Sequence, residues 1–210
     1  MSAPDKPAYD TRVFINCPFD DAYWPLFQAL VFTVEYCGFT ACCALEVEDS
    51  GETRAEKIVR LIADSRYGIH DISRTELNAE YLPRFNMPFE FGVFTGFKYG
   101  GRGRQKDKVI LVLDRERYRF QRFISDIAGQ DIRAHGNDPE KVIREVRAWL
   151  QSQAGRRDLF GAEHIVGRYR VFTADIPDLL AGLNKTAADL ANYQDFHNLV
   201  YRWIHRDTVG

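Results

Sequence analysis

The stretch that most constrains this chain is KVILVL at residues 108–113. Its apolar residues do not alternate with polar ones, so a strand formed here buries both faces, as a central parallel strand does. It also holds the longest wholly apolar run, five residues from Val109 to Leu113, too short to cross a bilayer. Three further strands precede it at residues 12–16 (RVFIN), 39–45 and 66–72 (RYGIHDI). The first stops at Pro18, which has no N–H to donate to a ladder. Between the strands the spacing turns helical. Residues 22–37 carry Trp24, Phe27, Leu30, Val31 and Val34 and close at Gly38, and residues 53–64 carry Ile58, Leu61 and Ile62. A third helix is predicted over 88–98 with Pro88 in its first turn, then a short strand over 131–134 and an amphipathic helix over 139–153. Strands alternating with helices define an α/β fold, an open, doubly wound, mostly parallel five-stranded sheet covered on both faces.

This unit spans residues 12–153. Residues 1–11, with Pro4 and Pro7, read as a flexible arm, and residues 99–108 as a basic hinge. Residues 154–210 read as a helical C-terminal extension, with fragments at 176–183, 187–193 and 196–204. With 210 residues and 45% apolar content the chain can bury one sizeable core. Thirty acidic against 28 basic residues leave a net charge of −2, so no global field draws the chain to nucleic acid or an anionic membrane. The start MSAPDKPAYD has neither a basic leader nor an apolar segment, so a cytoplasmic protein is expected. Cys17, Cys37, Cys42 and Cys43 have no zinc-site spacing and read as reduced, buried thiols; Cys17, between a strand and a proline, is the candidate for a functional one. No metal site is expected.

In a doubly wound sheet, ligands lie beyond the carboxyl ends of the strands. The first strand leads there into Asn16, Cys17, Pro18, Phe19 and Asp20, the second to Glu46 and Glu48, and the third to Asp71, Ser73 and Arg74. The loop behind the third strand adds Arg84, Asn86, Phe89 and Glu90. No glycine-rich phosphate fingerprint accompanies them. Glu90, in the predicted first helical turn between Phe89 and Phe91, either favours the helix N-terminus electrostatically or serves as a catalytic carboxylate facing the crevice. Such a group stabilises or attacks an electron-poor sugar carbon as a glycosidic bond breaks. Asp71, at a strand end, is either a second catalytic group that pushes the two protonation equilibria apart or a partner of loop amides. Asn86 donates to a ribose hydroxyl or caps its helix. Alternation turns His70 away from Asp71, toward a helix. His135, His164, His197 and His205 show no ligand spacing. The basic stretches 98–108 and 115–122 are either solvated surface or a local phosphate-facing patch.

The motifs VFINCPFDD, ADSRYGIHDIS and NMPFEFGVFTG together resemble the TIR-like and nucleoside 2-deoxyribosyltransferase-like superfamily, in particular bacterial TIR-like nucleotide-binding proteins. The resemblance covers residues 12–150 and implies a flavodoxin-like sheet. It implies an enzyme, most readily an NAD+ nucleosidase (hydrolase or cyclase), with Glu90 and Asp71 in the catalytic places. Asn16, Cys17, Pro18, Phe19 and Asp20 would form the first ligand loop. Glu46, Ser73, Arg84, Asn86 and Phe89 complete the expected substrate-binding set. NAD enters as substrate, with no tightly bound cofactor. The resemblance also implies anti-phage defence and activation through a homo-oligomer or a partner protein. The competing readings are a nucleoside deoxyribosyltransferase, a non-catalytic sensor of a nucleotide-derived signal, and a protein-interaction scaffold.

Overall fold

A computed structural model describes residues 8–46, 51–75, 81 and 84–206. Glu48, Leu82, Pro83 and the first seven residues of the arm lie outside the described residues. Five strands, β1 (Arg12–Asn16), β2 (Thr40–Cys43), β3 (Tyr67–Asp71), β4 (Val109–Asp114) and β5 (Arg133–Ala134), form one sheet in the order β2-β1-β3-β4-β5. Every neighbouring pair is parallel. This is the flavodoxin-like order, and its direction of winding reverses between β1 and β3. The crevice at the carboxyl ends of those two strands is therefore set by topology.

The sheet is dressed on both faces, and strand alternation decides which side chain meets which helix. Val13, Ile15, Tyr67, Ile69, Leu111 and Leu113 turn toward α1 (Trp24–Tyr36) and α4 (Pro139–Ala154). Phe14 and Cys42 turn the other way, onto α2 (Arg54–Ala63) and α3 (Asn86–Gly100). His70 is on this second face against Phe91 and Phe94, as alternation requires. Gly68 permits the close approach of α3, because a Cβ there would lie 2.7 Å from both His70 Nε2 and Phe94 Cε2. All four cysteines are buried free thiols.

The C-terminal helices α5 (Ala162–Gly182) and α6 (Tyr193–Ile204) share the core of the α/β unit rather than standing beside it. They cover the outer side of α1. Phe32 of α1 meets Tyr169, Phe172 and Trp203 with ring centroids 5.2–5.7 Å apart. This third layer explains why α1 is apolar nearly all round, since such a helix must be buried on all sides. The helix of residues 162–182 starts well before the fragment expected at 176. Gly167 and β-branched residues weaken its local propensity, while Ile165, Tyr169, Phe172 and Leu180 anchor it from the core side.

The same segment closes one sheet edge. Glu35 accepts a hydrogen bond from Ala41 N at 2.7 Å, Tyr193 donates to Ala41 O at 2.8 Å, and Gln194 donates to Glu46 O at 2.8 Å. The outward backbone groups of Ala41, on an edge strand, are thus satisfied internally. The basic segment expected as a hinge is a bonded 3-10 turn at Gly103–Asp107, with Tyr9 donating to Arg104 O and Gln105 to Ala63 O. Lys108 is buried, its ammonium held by the carbonyls of Ile62 in the last turn of α2 and of Ser65 just after it. No helix among the described residues is long and apolar enough to cross a membrane.

Truncating Phe172 to alanine is expected to lower the unfolding free energy by about 3–5 kcal/mol in urea denaturation. A chain ending at Gly155 should lose its cooperative transition. An unchanged midpoint in that shorter chain would contradict the shared core.

Candidate functional site

Beside the β1–β3 switch point stand the loop after β1, the described residues 72–75 and 84–85 between β3 and α3, and the first two turns of α3. The helix begins at Asn86, two residues earlier than its pattern suggests. Pro88 consequently occupies the third helical position, and Glu90 starts the second turn rather than lying in the first. Asn86 does not cap the helix: Phe85 is the N-cap residue, and no side chain bonds there. Phe85 and Phe89 are one turn apart and expose their rings (66% and 62%), with Asn86 exposed beside them.

Glu90 is only 4% exposed. Its nearest described cation is Arg54, the first residue of α2, with Nη2 3.9 Å from Oε1. The start of α2 is fixed by a reciprocal capping box between Thr53 and Glu56, which sets where Arg54 stands. Burial pushes the Glu90 carboxyl up to about 7, against the opposing pull of Arg54. Near neutral pH this group is divided between its acid and its carboxylate.

Asp71 is different in kind. It is fully buried, and both its oxygens are engaged: Tyr23 donates to Oδ2 at 2.6 Å, and Ser73 N donates to Oδ1 at 2.8 Å. His135 Nε2 stands 3.0 Å from the same Oδ2. Asn137 N donates to His135 Nδ1 at 3.0 Å. Burial raises this carboxyl, but the bonds from His135, Ser73 and Tyr23 outweigh it and hold the group below its ordinary value. Asp71 ties the end of β3 to the turns that precede α1 and α4. Its bond from Ser73 N is the loop-amide contact that is one of the two expectations for Asp71, and the side chain is buried rather than exposed at a rim.

The other expected residues divide the same way. Asn16 is buried and donates to Met87 O at 2.8 Å, with His70 Nδ1 3.1 Å from the same nitrogen. It anchors the start of α3. His70 stays neutral beside it, because burial, aided by Lys108, pushes the imidazole down to about 3. Cys17 and Pro18 are buried. Burial above all, then the charges of Cys43, Asp71, Glu90 and Asp20, pushes the Cys17 thiol well up, so it is no reactive thiolate. Ser73 is buried, and Glu46 is held by Arg12 at 2.9 and 3.0 Å. Phe19, Arg84, Asn86 and Phe89 are exposed, and Asp20 is partly so.

Asp20 carries the rim's ion pairs. Arg84 Nη1 donates to Oδ2 at 3.0 Å, Arg74 Nη2 lies 3.6 Å from Oδ1, and Tyr23 N donates to Oδ1 at 3.0 Å. Phe19, Asp20, Asp21, Trp24 and Leu45 also line a pocket of about 290 Å3, whose far wall is Ala187, Leu190 and Ala191 of the C-terminal segment. A larger cavity of about 690 Å3 lies at the β5 edge, lined by Arg117, Tyr118, Gln121, Arg133 and Lys141 among others, and contains none of the expected residues. Among the basic residues nearby, Arg119 is drawn inward, bonded to Asp114 at 2.8 Å and to Ile72 O at 2.7 Å. No group of three or more His, Cys, Asp or Glu side chains among the described residues could hold a metal.

Sequence spacing missed Tyr23, His135, Arg54 and Phe85. Phe85 had a signal, standing one helical turn before Phe89. His135 had none, since it follows a strand of only two residues. No family model, curated protein or solved structure matches this chain.

Two outcomes follow from the two carboxylates. The folded-state carboxyl of Glu90 sits above its unfolded value, so its favourable contribution is complete in acid and is lost as pH rises through about 7. Wild type should lose on the order of 3 kcal/mol relative to Glu90→Gln between pH 4 and pH 8, read by denaturant titration. A pH-independent difference would remove the low-dielectric site. Asp71→Asn should instead cost about 3–5 kcal/mol at neutral pH by breaking a buried charged network. A loss below 1 kcal/mol would show that Asp71 is not structural.

Proposed function

We propose that the protein cleaves the N-glycosidic bond of a nucleotide, with NAD as the favoured substrate and Glu90 as its catalytic carboxylate. The observation that carries this reading is one buried carboxyl, poised near neutrality, at the topological switch point and beside two exposed aromatic rings. Phe85 and Phe89 offer flat apolar faces on which a nicotinamide or adenine ring can stack. The ribose C1′ then lies over Glu90, and Asn86 is placed to donate to a ribose hydroxyl.

The bond to be broken joins C1′ to the pyridinium nitrogen. Its electron pair returns to that nitrogen, neutralising the ring, so nicotinamide departs without being protonated. The positive charge left on the sugar is stabilised, or captured as an ester, by the Glu90 carboxylate. Water, or a nucleophile on the same nucleotide, completes hydrolysis or cyclisation at C1′ and releases a proton. This chemistry needs one carboxylate and no general acid. The engagement of Asp71 inside the scaffold favours NAD over deoxynucleosides for that reason, because a neutral base leaves readily only when protonated. The resemblance to bacterial TIR-like proteins adds assembly or an activating partner, and a place in anti-phage defence.

The test is turnover of NAD and of deoxynucleosides by the full chain, with and without crowding to promote assembly. Glu90→Gln should lower NAD cleavage by about 100-fold or more. Wild-type activity should rise with pH through about 7, as the carboxyl ionises. Equal turnover by Glu90→Gln would reject the catalytic role. Tight nucleotide binding without bond cleavage in the assembled state would make the protein a sensing module instead.

A further inference from the structure

We infer that Arg74 and Arg84 form a two-guanidinium clamp for the phosphates of the ligand, with Asp20 as the internal counter-ion that holds the clamp before ligand binds. The inference deepens the reading above, since it specifies a phosphate-bearing nucleotide rather than a nucleoside for the same crevice. Three observations carry it. The first is charge. Among the described contacts, two guanidinium groups share the single Asp20 carboxylate, at 3.0 and 3.6 Å. The neighbouring ion pairs at Arg12–Glu46 and Arg119–Asp114 each match one cation to one anion.

The second is position. Asp20 belongs to the loop after β1, whereas Arg74 follows β3 and Arg84 precedes α3. The contacts therefore cross the switch point from one side to the other, where doubly wound sheets receive the polar groups of their ligands. No glycine-rich phosphate loop occupies this place in the sequence, so the anion-binding role falls to side chains. Planar guanidinium groups suit it, since each can offer two parallel donors to a phosphate. The third is exposure. The two arginine side chains are about one-third and one-half exposed, and Asp20 remains partly open to solvent. An ion pair so placed is worth little in water and is readily exchanged for a doubly charged ligand. Asp20 also keeps a bond from Tyr23 N, so its backbone turn does not depend on the arginines.

An internal counter-ion makes substitutions on its two sides act in opposite directions. Binding of inorganic pyrophosphate, NAD and nicotinamide riboside to the full chain is measured by titration calorimetry, with circular dichroism to verify folding. Asp20→Asn keeps the acceptor for Tyr23 N and removes the competing charge. It should tighten pyrophosphate binding about fivefold or more, through the loss of an exposed pair's competition. The double variant Arg74→Gln with Arg84→Gln should weaken pyrophosphate and NAD about tenfold or more, leaving nicotinamide riboside unchanged. Arg84→Lys should recover only part of the loss, since an ammonium lacks the fork. Unchanged or weaker pyrophosphate binding by folded Asp20→Asn overturns the clamp, as does an absence of pyrophosphate binding in both wild type and that variant. Glu90-dependent cleavage of NAD with KM unaffected by the arginine changes would remove the clamp and leave the catalytic reading standing. The expected opposite shifts without any bond cleavage would do the reverse.

Discussion

A parallel sheet whose central strands are apolar on both sides has to be covered on both faces, and the rest of this molecule follows from that need. β1 and β3 are buried along their whole length. Helices α1 and α4 cover one face, and α2 and α3 the other. The covering does not end there, because α1 is itself apolar around its circumference. It requires α5 and α6, and so draws the C-terminal helices into the same core. The C-terminal segment then serves two further ends. Tyr193 of α6 meets the outer edge of β2, and Ala187, Leu190 and Ala191, between α5 and α6, supply one wall of the pocket beside the loop after β1.

The same architecture separates two acidic residues that look alike in sequence. Both stand near the carboxyl end of the sheet. Asp71 points to the α1–α4 face, where a hydroxyl, a backbone N–H and an imidazole meet it, and charge is the state those donors favour. Among the described residues, the cation facing Glu90 is the distant end of an arginine that is itself half in solvent, so burial dominates and the proton is held to about neutral pH. One carboxylate is held as a charged member of the scaffold, and the other keeps its proton to about neutral pH. Asn16 and His70 belong to the scaffold as well, because they fix the carbonyl of Met87 one turn ahead of Glu90.

Most of the fold was legible in the chain. The buried run at residues 109–113, the alternation that opposes His70 to Asp71, and the helical spacing of residues 22–37 each rest on a local period that tertiary packing did not override. The candidate site was legible in part. Glu90, Asn86 and Phe89 lie within one turn of a single helix, so their neighbourhood is a property of local sequence. Asn16, Cys17 and Ser73 were read as rim residues because they follow strand ends, and strand ends mark a rim only where the next loop turns outward. Here Asn16 bonds to the Met87 carbonyl in α3, and Asn16, Cys17 and Ser73 are all buried.

What the sequence determined by itself is therefore the alternation of strands and helices, the parallel sheet, and a carboxylate at the start of the third α-helix among aromatic neighbours. Periods of two and of about 3.6 residues, with proline and glycine as stops, are sufficient for these. The tertiary structure alone decided that Asp71 pairs with Tyr23 and His135, that Arg74 and Arg84 share Asp20, and that the C-terminal helices belong to the core. Each of these joins segments distant along the chain, and no local period records which ionisable groups long-range packing will bring within hydrogen-bonding reach. The state of a carboxyl depends on such neighbours and on the water they exclude, so the chemistry available at Glu90 is a property of the folded chain.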